Sequence, residues 1–170
     1  MPISLVQSRS VAGLSLAYTG NVTLGNLLVI AAGNAAGAAV TFGNSDSQGN
    51  TYSSLPLVDG SGISAASGQL FFSIAKATGA NTVTITDTGL SPQLLIHEFS
   101  GVTLQDKAHS AVGSGSAQDS GPGTTVIANE LLFGFVFNNI SSGATFTPGA
   151  GWTQAEILGL NALTEYQIVS

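Results

Sequence analysis

Apolar and polar positions along this chain alternate in short runs cut by turn-forming residues. The clearest run is Thr82-Val-Thr-Ile-Thr86, with the threonines on one phase and Val83 and Ile85 on the other, the period-two pattern of a strand with one wet face. Residues 26–32 (Asn-Leu-Leu-Val-Ile-Ala-Ala) are apolar on both phases, which predicts a strand buried in the middle of a sandwich. Further strand-like runs occupy residues 3–11, 40–42, 52–58, 69–76, 93–102, 130–137 and 163–169. Turn signals separate them at Thr19-Gly-Asn21, in the Gly/Ala-rich residues 33–39, in the loop 59–68, and at 78–81, 87–92 and 138–143. Only residues 153–163 admit a short turn of helix. About nine to ten short strands predict an all-β fold: one antiparallel two-sheet sandwich over residues 1–170, jelly-roll-like in connectivity.

Two stretches stand out. Residues 44–52 (Asn-Ser-Asp-Ser-Gln-Gly-Asn-Thr-Tyr) read as the tip of a β-hairpin, with Asp46 and Ser47 capping the turn and Gly49 supplying a positive φ. Residues 103–124 form a long Gly/Ser-rich connection, and loops of that length in compact domains are usually functional.

Composition changes the picture of the surface. Charged residues make up only 7% of the chain, against about a quarter in ordinary proteins. The exterior must then consist of Ser, Thr, Asn, Gln and Gly, and contact between neighbouring copies meets little repulsion. The net charge of −6 reflects just three basic residues, Arg9, Lys76 and Lys107, too few to neutralise a phosphate backbone. Nucleic acid is therefore excluded as a partner. The apolar runs are too short for a spanning helix, so membrane insertion is not expected either. With no cysteine, disulfide and thiolate chemistry are absent. The first residues lack the basic and long apolar regions of a secretory signal.

Candidate chemistry is sparse. His97 and Glu98 are neighbours in one strand and so point to opposite faces. His109 near Asp106 could orient a nucleophile, yet no Gly-x-Ser-x-Gly turn supplies one. The carboxylates Glu98, Glu130, Glu156 and Glu165 and the five aspartates are spread one per segment. Calcium would find oxygen ligands in Asp46, Asn50 and Asp59, without the carboxylate density of a loop site. Lys76, on the phase of Phe72 and Ile74, is a candidate for an intramolecular isopeptide crosslink with an Asn. Trp152, after a Gly-rich turn, and the tyrosines Tyr18 and Tyr52 are the aromatic candidates for stacking on a sugar.

Several segments in order, Ile3-Ser-Leu-Val-Gln-Ser8, Gly25-Asn-Leu-Leu-Val29, Ser45-Asp-Ser-Gln-Gly-Asn-Thr-Tyr52, Gly79-Ala-Asn-Thr-Val-Thr-Ile85, Glu98-Phe-Ser-Gly-Val102, Asn129-Glu-Leu-Leu-Phe-Gly134, Gly149-Ala-Gly-Trp152 and Glu165-Tyr-Gln-Ile-Val-Ser170, resemble a loosely defined family. It comprises β-sandwich domains of tailed-phage virion proteins and bacterial surface proteins. The resemblance implies a fold and a virion or extracellular setting, and no reaction. Members usually continue past the Tyr-x-Ile-Val-Ser segment, which implies either a complete variant sandwich or an open edge at residues 163–169 that a neighbouring subunit fills.

The expectation is a non-enzymatic assembly protein of a phage virion, decorating a capsid or tail, or of an extracellular filament, that contacts copies of itself or a lattice. The lack of a signal favours the virion. Candidate subunit contacts are Gln105, Asp106, Lys107, His109, Gln118 and Asp119 in the long connection, with Tyr166 and Ile168 near the C-terminus. The alternative is an adhesin or carbohydrate-binding module that uses Trp152 and Tyr52 against a glycan. No cofactor is expected in either case, calcium being the one candidate.

Overall fold

The structure, a computed structural model, describes residues 1–35, 40–60, 66–89, 91–103, 106–113, 117–124, 128–139, 145–159 and 161–169. The strands in chain order are β1 (Ser4–Val11), β2 (Ser15–Ala17), β3 (Leu27–Asn34), β4 (Phe42–Asp46), β5 (Ser53–Ser54), β6 (Val58–Asp59), β7 (Ser67–Ile74), β8 (Thr82–Asp87), β9 (Pro92–Ser100), β10 (Glu130–Phe137), β11 (Thr153–Leu158) and β12 (Ala162–Val169). Every pairing is antiparallel, and no helix occurs among the described residues.

The pairing is nested. β1 pairs with β9, β2 with β8 and β3 with β7, as if the chain first doubled back in one long hairpin. The hairpin then coils, setting β9 beside β3 and β8 beside β4. The result is a central sheet in the order β1-β9-β3-β7-β5, with β6 also on β7, facing a smaller sheet β2-β8-β4. That order is a jelly-roll arrangement. Leu28, Ile30 and Ala32 of β3 and Leu94 and Ile96 of β9 meet Leu16, Val83 and Ile85 of the smaller sheet in the main core. Each of the large aliphatic side chains buried here contributes about 1.5–3 kcal/mol relative to exposure.

A third sheet, β10-β12-β11, covers the other face of the central sheet. Its small core holds Ala31, Leu95 and Ala162, with Leu70, Phe135, Phe137 and Leu158 packed around them. With both faces covered, β3 and β9 are buried along almost their whole length. The two-phase apolarity of residues 26–32 has this as its cause.

The all-β sandwich expected from the pattern is present, with three sheets rather than two, because β10-β12-β11 covers the second face of the central sheet, and with twelve strands rather than nine or ten, since β2, β5 and β6 span three residues or fewer. Four local expectations are corrected. Residues 44–52 are not a hairpin tip: β4 pairs with β8 while β5 pairs with β7, so the turn carries the chain from one sheet to another. Residues 153–158 are a strand, held against β12 with a bulge between Gln154 and Glu156, instead of a helical turn. β12 is not an open edge from Ala162 to Tyr166, where β10 lies on one side and β11 on the other, while Gln167, Ile168 and Val169 pair with β10 alone. Finally, Gly33 and Gly68, assigned by composition to loops, are directly paired inside β3 and β7.

Candidate functional site

The turn after β4 is organised by a single carboxylate. Asp46 accepts hydrogen bonds from the backbone N–H groups of Gln48 (3.1 Å) and Asn50 (3.0 Å), the side-chain amides of Asn50 (2.7 Å) and Asn81 (3.0 Å), and the Tyr52 hydroxyl (2.7 Å). Burial would raise the Asp46 carboxyl, but the donors Asn50, Asn81 and Tyr52 outweigh it and hold it below the usual carboxylate range. Gly49 has φ +68°, the conformation expected of it. Burial, with Tyr18 and Asp46 close by, pushes the Tyr52 phenol up, so it stays protonated and donates to Asp46. The Tyr52 ring packs against the main core, which takes it away from an exposed stacking role. Asn50 Oδ1 accepts from the Lys76 backbone N–H (2.8 Å), and Asp59 accepts from Ser67 at β6–β7 (3.2 Å). The oxygens considered for calcium are thus engaged by protein donors, and no group of three or more His, Cys, Asp or Glu that could hold a metal occurs among the described residues.

His97 and Glu98 are both fully buried and face opposite sides of the central sheet. On the main-core side, Glu98 accepts from the Asn26 amide (2.7 Å), the Thr23 N–H (2.8 Å) and the Gln7 amide (2.6 Å), a set that ties β1 and the segment before β3 to β9. On the other side, His97 Nε2 lies 2.8 Å from Thr164 Oγ1 of β12. The Phe133 ring meets the imidazole edge-on at 5.0 Å, and Phe99 in turn meets Phe133 and Tyr166. Burial pushes the His97 imidazole down to about 3, only slightly countered by the Val29 backbone, and the ring stays neutral. Both residues therefore hold elements together and reach no solvent.

The third sheet docks on a flat patch. A Cβ at Gly33 would lie 2.5 Å from the Phe137 ring, and one at Gly68 would lie 3.0 Å from Phe135. The paired glycines leave the space that these two rings fill. On the outer face of the same sheet, Trp152 lies over Gly134, 3.4 Å from where a Cβ would stand, and against Gly149 of its own turn. Trp152 is half-buried, and Glu165 beside it accepts the Gly149 N–H (2.8 Å). Glycine spacing was the available sequence signal for these close approaches, and it reads equally well as loop.

Lys76 is exposed, as is Ile74 on the same phase, and its ammonium donates to the Gly49 carbonyl (2.9 Å) and the Thr51 hydroxyl (3.0 Å). The isopeptide reading required a buried lysine and is corrected by this exposure. Of the candidate contact residues, Asp106, Lys107, His109, Gln118 and Asp119 are exposed, and Gln105 lies outside the described residues. The His109 ring lies beside Gly123, and Asp119 caps its own turn through the Gly121 N–H (2.8 Å). Every described residue of 103–129 is exposed and none belongs to a strand. Tyr166 is half-buried against Phe99, whereas Ile168 is 46% exposed and lines a shallow pocket with Met1, Pro2, Ile3, Gly101 and Asn129. Comparison of the chain with protein-family models, with curated proteins and with solved structures found no match.

Proposed function

We propose that this chain is a non-enzymatic structural protein of a phage virion, decorating a capsid or tail, or a subunit of an extracellular filament, and that it acts through contacts with its own copies or with an underlying lattice. The observation that carries this reading is the contrast between a scaffold in which Asp46, Glu98 and His97 are bonded to neighbouring elements and the long connection after β9, exposed throughout its described residues. The connection's only charged side chains are Asp106, Lys107 and Asp119, all exposed, and the rest of its described surface is Ser, Thr, Gly, Ala and other uncharged residues, so apposing it against a neighbour desolvates three ions at most. The titratable groups that could do chemistry serve the scaffold instead: Asp46 and Glu98 are saturated with donors, and His97 is sealed between sheets.

Sedimentation and electron microscopy of the purified protein test the reading. Rings, trimers, fibres or larger assemblies are expected, and charges set into the connection by Ala108→Glu with Val112→Glu should weaken them. A protein that stays monomeric at every concentration, fails to bind phage particles, and binds a glycan array in a manner lost on Trp152→Ala would overturn assembly in favour of a carbohydrate-binding module.

A further inference from the structure

The three basic residues of the chain sit in different settings. Arg9 lies within β1, paired with Ile96 of β9, and its guanidinium donates to the Ala17 carbonyl (2.9 Å). Lys76 follows β7 at a fastened turn. Its N–H donates to Asn50 Oδ1 (2.8 Å), its ammonium to Gly49 and Thr51, and Ala75 before it is buried, with its own N–H on the Asn26 carbonyl (2.8 Å). Lys107 has none of this. Residues 106–113 are exposed and outside any strand, and no hydrogen bond among the described residues involves Asp106, Lys107 or Ala108.

An endoprotease binds its substrate as an extended strand and needs main chain free on both sides of the bond it cuts. Paired strands and fastened turns withhold that shape. Exposed segments of small and polar residues offer it, and proteolytic nicking concentrates there. Residues 108–113 (Ala-His-Ser-Ala-Val-Gly) are of that kind. Lys107 is the one Lys or Arg of the connection 103–124, so an enzyme that selects these side chains finds a single place in it to cut.

We propose that the Lys107–Ala108 bond is a processing site: an endoprotease with an acidic pocket for a basic side chain cuts the folded protein there once, and the product is a two-chain protein of residues 1–107 and 108–170. Water adds across the bond, giving Lys107 a carboxylate and Ala108 a free amino group. The cut divides no sheet. The central sheet and β2-β8-β4 belong wholly to the first piece, and β10-β12-β11 to the second. What joins the pieces survives the hydrolysis: Phe137 and Phe135 on the Gly33 and Gly68 patch, the bond between His97 and Thr164, and the Ser8 and Ser10 hydroxyls on Glu156 (2.8 and 3.1 Å). The third sheet thereby changes from a tethered layer into a separate chain held by non-covalent contacts, able to leave or be exchanged. Processing does not depend on the assembly reading. Where the connection is a subunit contact the bond is shielded, so the cut belongs to the free subunit.

Trypsin at a low ratio to the dilute, folded protein tests this. Mass spectrometry should find two fragments, one ending at Lys107 and one starting at Ala108, whose masses sum to the intact chain plus one water. They should elute together in size-exclusion chromatography with an unchanged circular dichroism spectrum. Lys107→Gln should remove the cut, and Lys76→Gln should leave it as it was. A first cut after Arg9 or Lys76, a chain that resists trypsin, or fragments that part or are digested as soon as they form would overturn the proposal. Protein that stays monomeric in sedimentation and is still cut once at Lys107 would overturn the assembly reading and support this one.

Discussion

The two faces of the central sheet are covered in different ways. Between it and β2-β8-β4 lies a continuous apolar core built from fully buried Leu28, Ile30, Val83, Ile85, Leu94 and Ile96. Between it and β10-β12-β11 lie the buried cluster of Ala31, Leu95 and Ala162, a layer of rings set on paired glycines, and polar links from Ser8 and Ser10 of β1 to β11 and between the neutral His97 and Thr164. No residue of β10 is fully buried, whereas β3 and β9 are buried almost throughout. The first interface makes the fold. The second attaches a layer to it.

The largest effect should separate the two interfaces. Ile30→Ala opens a cavity in the main core and is expected to cost about 2–5 kcal/mol, lowering global stability in chemical denaturation. Phe135→Ala should instead speed hydrogen exchange in β10–β12 while β3 and β9 keep their protection. Equal loss of protection everywhere would show that the three layers unfold as one unit. Next comes Gly33→Val, which drives methyl groups into the Phe137 ring. An overpacking cost of about 1–3 kcal/mol is expected, read as exposure of the third sheet to limited proteolysis with little change in the main core.

The smallest concerns acid. His97 is held neutral, with its folded value near 3 below the ordinary 6.5, so the unfolded chain takes up the proton first. Its contribution is fully present above pH 6.5 and is lost as pH falls toward 3, at about 1.4 kcal/mol per pH unit. At pH 5.5 the melting temperature of the wild type should fall, and His97→Gln, which cannot take up the proton, should show less of this drop. An identical drop in both proteins would remove His97 as the cause.

What was legible in the sequence followed from local rules. Alternation at 82–86 marked β8, and the Asp46 and Gly49 turn chemistry was read as it stands. Two-phase apolarity at 26–32 pointed to a strand covered on both faces, but not to the identity of the second cover. Glycine misled at Gly33 and Gly68, because a residue without Cβ marks a loop and a ring-sized gap in a sheet alike. The turn at 44–52 was read as a hairpin since local chemistry shapes a reversal without saying which strand the chain joins next. Asp46 was recognised as a capping residue, yet its partner Asn81 lies 35 positions away and no local signal couples them. The long connection, expected over residues 103–124, was visible as composition. The open edge was expected along the C-terminal strand, whereas Ala162–Tyr166 are paired on both sides and, among the described residues, β10 pairs only with β12.

The nested pairing also dictates an order of events in making the protein. Ser4 on β1 meets Ser100 on β9 through hydroxyls 96 positions apart, so the first strand synthesised waits for the ninth before its sheet can close. β11 and β12, by contrast, are neighbours in sequence as well as in space, with β10 added on the far side of β12. Long-range closure makes the jelly roll the slow step of folding. The β11–β12 hairpin can form locally, but its sheet has no glycine patch to settle on until β3 and β7 pair Gly33 with Gly68.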